Sequence, residues 1–330
     1  MFWSFMKLGI PIIVAILVLM ELTTFGWRPS RKNMITLSES EKESAENLKR
    51  MVTFLAGEVG TRNYLHDQSL NRAADFLETR FKGLGYETQI VSYEVNGQIF
   101  KNIITRTHSI PTKESKDIIV IGAHYDSCFN PGADDNASGV AGILELARLL
   151  KDVNLSTQIQ FVAFTNEEPP FFMTDDMGSL VFARKLKEHN LKVKAAIILE
   201  MIGYYSENIN SQRYLPLLGL FYPNRGNFIA VVGNFPSAKV TNTLVANFRR
   251  HSKFPVESLI APSFVRGVYF SDHWSFWHEG FPAVMVTDTA FLRNKNYHSP
   301  TDLPATLDYE KMARVVHGLK ESIIRFVEDD

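Results

Sequence analysis

The order of strand-like and helix-like segments predicts an α/β fold. It is a single mostly parallel, mixed sheet with helices on both faces, preceded by one N-terminal transmembrane helix. Three observations predict it. Short apolar, β-branched runs alternate with amphipathic runs from residue 118 onward, as in a parallel sheet covered by helices. The length of 330 residues suits one large α/β domain plus an attachment. An apolar segment, Leu8 to Trp27, stands at the N-terminus, broken only by Glu21 among charged residues.

That segment has Lys7 before it and Arg28, Arg31 and Lys32 after it. It is long enough for one spanning helix of about 20 residues, and no A-x-A-like cleavage site follows it. Residues 1–34 are therefore expected to be an uncleaved membrane anchor in contact with the lipid bilayer, and residues 35–330 the folded domain. Lys7 and the amino terminus oppose three basic residues beyond the span, so the charge pattern leaves the orientation open. The folded domain is placed on the extracytoplasmic side.

Ser38 to Val59 runs from acidic to basic, with Leu48, Met51, Val52 and Leu55 at helical spacing, which predicts a surface helix. Ser69 to Leu84 repeats the pattern and stops at Gly83 and Gly85. Thr88 to Tyr93 and Ile99 to Thr105 read as two strands joined at Asn96-Gly97, a hairpin turn pair. Further strands are expected at Ile118 to Ile121, Gln158 to Phe164, Val193 to Leu199, Phe228 to Val232 and Ala283 to Val286. Helices are expected at Val140 to Leu150, Gly178 to His189, Ser237 to His251, Ser271 to His278 and Tyr309 to Phe326. The aperiodic stretch Gly203 to Gly226 predicts a long loop.

Composition narrows the function. The formal net charge of −1 carries no nucleic-acid footprint. A single cysteine, Cys128, excludes an intrachain disulfide and a cysteine-rich zinc module. Cys128 is read as incidental, because nothing in the sequence places a base beside it.

The chemistry gathers after the strands. Ile118 to Gly139 reads IIVIGAHYDSCFNPGADDNASG, a buried strand that delivers His124, Asp126, Asp134 and Asp135 ahead of a helix. Open α/β sheets place their sites at such carboxyl ends. Four more runs do the same: Phe161–Phe164 before Glu167-Glu168, Ala195–Leu199 before Glu200, Val268–Phe270 before Ser271-Asp272-His273, and Ala283–Val286 before Tyr297-His298. On one sheet edge, His124, Asp135, Glu167, Glu168, Glu200 and His298 would converge. Four carboxylates in one cleft repel strongly unless a divalent cation neutralises them. Two metals sharing a bridging carboxylate need about five protein ligands and leave one carboxylate over as a general base. The Glu-Glu pair can supply one of each, since neighbours in an extended stretch point opposite ways.

Six motifs together resemble the M28 family of zinc peptidases: GAHYDS (Gly122–Ser127), PGADDNASG (Pro131–Gly139), NEE (Asn166–Glu168), LEMIGYY (Leu199–Tyr205), SDH (Ser271–His273) and YHSPTD (Tyr297–Asp302). They occur in the family's order, and the resemblance runs from about Leu48 to Phe326. It implies the zinc-dependent exopeptidase fold and two zinc ions. By this resemblance His124 is a ligand of the first zinc, Asp135 the bridge, and Glu168 and His298 ligands of the second. Glu200 falls where the family usually has Asp to complete the first zinc. Glu167 resembles the general base and Tyr297 the tyrosine that steadies the oxyanion. Asp126 resembles the carboxylate that orients His124, with Asp272 a further outer group. The Asp135-Asn136 peptide is expected to be cis. The implied activity is that of an aminopeptidase acting on a peptide substrate. The same scaffold also carries glutaminyl cyclases, carboxypeptidases and catalytically dead, membrane-tethered binding domains. Intact ADDN and NEE favour hydrolysis over cyclisation, and competent residue types at every position argue against a dead domain; the ligands do not set which end of the substrate is read, so a carboxypeptidase stays open. Phe171, Phe172, Tyr204, Tyr205, Phe270, Trp274 and Phe291 are candidates for the wall of an apolar side-chain pocket.

Overall fold

The computed structural model describes residues 36–106, 117–214 and 218–328. The expected anchor within residues 1–34 lies outside them. Among the described residues no helix is long and apolar enough to cross a membrane.

Among those residues, eight strands form one sheet: β1 (Glu87–Val95), β2 (Gln98–Arg106), β3 (Asp117–His124), β4 (Gln158–Phe164), β5 (Lys192–Glu200), β6 (Ile229–Gly233), β7 (Val256–Ile260) and β8 (Ala283–Thr287). Their order is β1-β2-β4-β3-β5-β8-β6-β7. The centre, β4-β3-β5-β8, is parallel. β1 and β2 form the expected hairpin, in which Val95 pairs with Gln98. Asn96 and Gly97 both take positive φ, 51° and 82°, as a turn matching strand twist requires.

β6 runs antiparallel to β8, so the sheet is mostly parallel and mixed, as the sequence predicts. Two expectations need correction. The sequence reading has no strand at Val256–Ile260, although Val256, Ser258 and Ile260 face inward in alternation. Val268–Phe270 is not a strand. Its backbone is spent on turns, with the Val268 N–H donating to Val265 O at 3.0 Å, behind Gly267 at φ 90°.

Side-chain alternation divides the sheet's two faces. Ile119, Ile121, Phe161, Ile197, Val231 and Val286 pack with helices α1 (Glu39–Val52), α2 (Asp67–Gly83), α3 (Gly139–Leu150), α5 (Ala238–His251) and α7 (Tyr309–Glu328). Ile118, Val120, Val162, Phe164 and Ile198 pack with α4 (Gly178–Glu188) and α6 (His273–His278) on the other face. Burying both faces explains why the central strands read as continuous apolar runs. Each large aliphatic or phenyl group so buried contributes roughly 1.5–3 kcal/mol. α1 starts at a capping box between Ser38 and Glu41, and after Val52 it widens into a π-helical segment, Thr53–Val59.

The second face is unevenly covered. Over β6 and β8, Phe228, Ala230, Val232 and Met285 form a small apolar cluster, against which α6 contributes Trp277. Tyr214 and Leu218 of the long loop pack there as well.

Candidate active site

Each chemical side chain follows a strand of the parallel centre. β3 ends on His124, and the turn after it carries Asp126 and Asp135. β4 ends at Phe164, just ahead of Glu167 and Glu168. β5 ends on Glu200. The chain leaving β8 reaches Tyr297 and His298 after a 3-10 turn.

The structure brings His124, Asp135, Glu167, Glu168, Glu200 and His298 together. His124 Nε2 lies 3.4 Å from Asp135 Oδ1, 3.2 Å from Glu200 Oε2 and 3.9 Å from Glu167 Oε2. His298 Nε2 lies 3.2 Å from Asp135 Oδ2 and 3.2 Å from Glu168 Oε2. Asp135 thus presents a different oxygen to each histidine. The four carboxylates are buried, whereas His298 stands at the mouth with its side chain 30% exposed.

The electrostatics follow from that crowding. Burial pushes Glu167 well above the usual carboxylate range; His124 opposes this, and Glu168, Glu200 and Asp272 add to it. Burial and the charge of Asp135 push Glu168 up to about 7, against the pull of His298. Burial works against the charge of Asp135 as well, but the nearby imidazoles of His124 and His298 hold its pKa below the ordinary value.

The donor set fits zinc. Both ring nitrogens of His124 and Oε1 of Glu168 are buried without a hydrogen-bond partner. Ligand atoms at roughly 2.0–2.1 Å from a common tetrahedral centre lie about 3.3 Å apart. The separations of 3.4 and 3.2 Å around His124 and of 3.2 Å around His298 match that spacing. The residues that would hold one ion are His124, Asp135 and Glu200; Asp135, Glu168 and His298 would hold another.

Polar groups behind these donors fix them. Asp126 Oδ1 is 3.5 Å from His124 Nδ1. The same carboxylate accepts the Glu167 N–H at 3.2 Å and the Glu168 N–H at 3.1 Å. Asp134 stays outside the donor cluster, where it accepts the Gly203 N–H and the Asn294 amide. The Asp135-Asn136 peptide is cis.

Sequence reasoning missed several supports. Asp302 accepts the backbone N–H groups of Asp134 and Asp135 at 2.9 and 3.1 Å, tying the His298 segment to Asp135; its place at the end of YHSPTD was the available signal. Asn136 donates to Leu199 O at 2.9 Å and to Glu200 Oε2 at 3.2 Å, and accepts the Met201 N–H at 3.0 Å. Ser271 donates to Glu200 Oε2 at 2.7 Å. Arg62, fully buried, donates to the carbonyls of Tyr125, Pro131 and Gly132 and so holds the turn below the site; nothing in its surrounding sequence marks it.

One sequence-based reading changes. Cys128 is not isolated from a base, because it sits in a cluster with Glu168 and His298. Asp272 is fully buried, but no ion pair or hydrogen bond joins it to the donor cluster, and burial pushes its carboxyl up to about 7. Tyr297 stacks on the His298 ring, 3.8 Å between centroids, and burial and four carboxylates raise its phenol pKa.

Beside these groups opens a cavity of about 240 Å³. Asp135, Glu167, Glu168, Glu200, Tyr297 and His298 line one end. The partly covered face of β6 and β8 forms the floor, with Ala230, Val232 and Met285. Of the aromatic candidates, Phe172, Phe270 and Phe291 are in its wall; Tyr205 instead packs in the core on the opposite face.

The pattern of "Peptidase family M28" matches residues 102–323. The chain belongs to that family. It is a hydrolase acting on peptide bonds. "Uncharacterized protein YfbL" of Escherichia coli is 42% identical over 286 residues, 84% of this chain and 86% of that one. "Probable leucine aminopeptidase" of Arthroderma otae is 27% identical, over 86% of this chain and 72% of that one. Among solved structures, "BSAP, a zinc aminopeptidase from Bacillus subtilis" superposes with a TM-score of 0.67 at 16% identity, covering 86% of this chain and 95% of that one. The Porphyromonas gingivalis glutaminyl cyclase gives 0.62 at 18% identity, covering 86% and 98%. Both share the M28 fold seen here.

Proposed function

We propose that the protein is a zinc-dependent aminopeptidase that releases N-terminal residues with apolar side chains. The carrying observation is the cavity itself. A mostly apolar chamber opens directly onto two histidines and four buried carboxylates that fit two zinc ions. Relatives named as aminopeptidases support the same reading.

His124, Asp135 and Glu200 would hold one zinc, and Asp135, Glu168 and His298 the second. Bound there, zinc supplies Lewis acidity toward the scissile carbonyl and a more acidic water than bulk solvent. The chain's own residues do the rest. The apolar floor takes the first side chain, while Glu167, the one carboxylate not assigned to a zinc, leaves a negative group near a positively charged α-amine. Glu167 removes a proton from the attacking water as its oxygen adds to the carbonyl carbon. It then delivers that proton to the leaving nitrogen as the C–N bond breaks. Its raised pKa suits both halves of that task. Tyr297 remains protonated and donates a hydrogen bond to the developing oxyanion.

Hydrolysis of aminoacyl-nitroanilides, with and without chelator, tests the proposal. Leu and Phe derivatives should be cleaved, their N-acetylated forms should not, and chelation should abolish the activity with zinc restoring it. Failure to cleave any of them would sink the aminopeptidase reading. Turnover of N-terminal glutamine substrates alone, releasing ammonia with the peptide bond intact, would move the protein to the glutaminyl cyclases. Release of C-terminal residues alone would make it a carboxypeptidase. The proposal includes a single-pass anchor at Leu8–Trp27 with the domain outside the cytoplasm. Protease added to intact cells should then digest the domain, and full protection would refute that orientation.

A further inference from the structure

Cys128 has no part in the function proposed above. It lies in the turn after β3, and that turn is held firmly. Ser127 Oγ donates to Asn130 O at 2.8 Å, the Ser127 N–H donates to Arg62 O at 2.7 Å, and the Arg62 guanidinium donates to Pro131 O and Gly132 O. A free cysteine ordinarily packs as a small apolar group. Cys128 belongs to none of the apolar clusters of the core. Its Sγ, a Glu168 oxygen and a His298 ring nitrogen all lie within 4.8 Å of one another. Glu168 is 4% exposed, and its Oε1 has no hydrogen-bond partner. An imidazole, a thiol and a buried carboxylate with an unused oxygen form a metal-donor set.

We propose that the Cys128 thiol is a fourth protein donor at the position formed by Asp135, Glu168 and His298. The inference rests on the two-zinc reading and divides the labour within it. Four protein donors make a closed site of the structural type, whereas the three at His124, Asp135 and Glu200 leave an open one, as catalytic zinc requires. Substrate chemistry then belongs to the His124 position, and the Cys128 position holds Glu168 and the bridge in place. On metal binding the S–H proton passes to solvent as the sulfur–metal bond forms. A sulfur donor also biases this position toward soft, thiophilic ions.

The test is spectroscopic and uses the full-length chain freed of metal and titrated with Co²⁺ alone. Two ions should bind per chain. One of them should bring a near-ultraviolet sulfur-to-cobalt charge-transfer band, whose source is unambiguous because the chain has one cysteine. Cys128→Ser should lose that band, keep the visible absorption of the other ion, and bind the second ion about 100-fold more weakly or worse. Circular dichroism of Cys128→Ser and Cys128→Ala confirms the fold, and the wild-type spectrum needs no variant. Two bound ions without the band, or unchanged affinities in Cys128→Ser, would overturn the inference and leave the aminopeptidase reading standing. No metal binding by the wild type would overturn both.

Discussion

Replacing Asp126 by Asn probes how the site is held together. The wild-type carboxylate is 2% exposed and serves three groups: the Glu167 N–H at 3.2 Å, the Glu168 N–H at 3.1 Å and His124 Nδ1 at 3.5 Å. The two N–H groups approach different oxygens. Asparagine keeps the shape but offers only one oxygen, so its NH₂ must face one of those N–H donors. A buried N–H left without a partner costs about 1–3 kcal/mol, and exchanging a charged acceptor for a neutral one costs about 1 kcal/mol more. The sum is about 3 kcal/mol. At roughly 2–4 °C per kcal/mol for a large domain, Tm should fall by about 6–12 °C. Loss of a partner behind a metal-binding histidine should also weaken zinc binding by about 10–100-fold. Calorimetric Tm of the metal-free protein isolates the first effect, and zinc titration against a chromophoric chelator isolates the second. A Tm within about 1 °C of wild type, together with unchanged zinc affinity, would refute the claim that Asp126 couples His124 to the Glu-Glu pair.

Two further predictions follow from the pocket and the core. Ala230→Phe places a phenyl group on the cavity floor, so kcat/KM for Leu and Phe substrates should fall by about 10–200-fold while Ala substrates are less affected; equal loss for all substrates would remove this floor from specificity. His273 is fully buried with Nε2 2.7 Å from Val268 O, and burial lowers its pKa to about 4. The unfolded chain, at about 6.5, binds that proton earlier, so stability should fall as pH drops from about 6.5 to 4, by roughly 3 kcal/mol in total. Urea unfolding of metal-free wild type and His273→Gln should therefore show their stability difference shrinking over that interval, and a constant difference would contradict the assignment.

Much of the architecture was legible because period and burial coincide. The runs that became β3, β4 and β5 are continuous and apolar, since helices cover both their faces, and β8 reads the same way because its residues are buried on both sides, partly by the small cluster at the cavity floor. The far edge was less legible. Val256–Ile260 carries Glu257 and Ser258, which a strand beside a partly covered face tolerates. Val268-Tyr269-Phe270 has β-strand composition, but three residues behind a glycine at positive φ are committed to turns. In the site, residues placed at strand ends could be read from spacing. Arg62 could not, because it acts on backbone distant in sequence, at Pro131 and Gly132; Asp302 stands in the YHSPTD motif, but its contact with the Asp134 and Asp135 N–H groups shows only in the fold. The neighbours of Cys128 were hidden for the same reason, since Glu168 and His298 arrive from other strand ends.

The central claim is that Glu167 moves the proton in metal-assisted hydrolysis while other residues hold the metal. Glu167→Gln keeps the size and removes the base. Measured on Leu-nitroanilide at matched zinc content, kcat should fall by about 10²–10⁴-fold with both ions still bound and the fold unchanged. A variant with full zinc content and wild-type kcat would contradict the account.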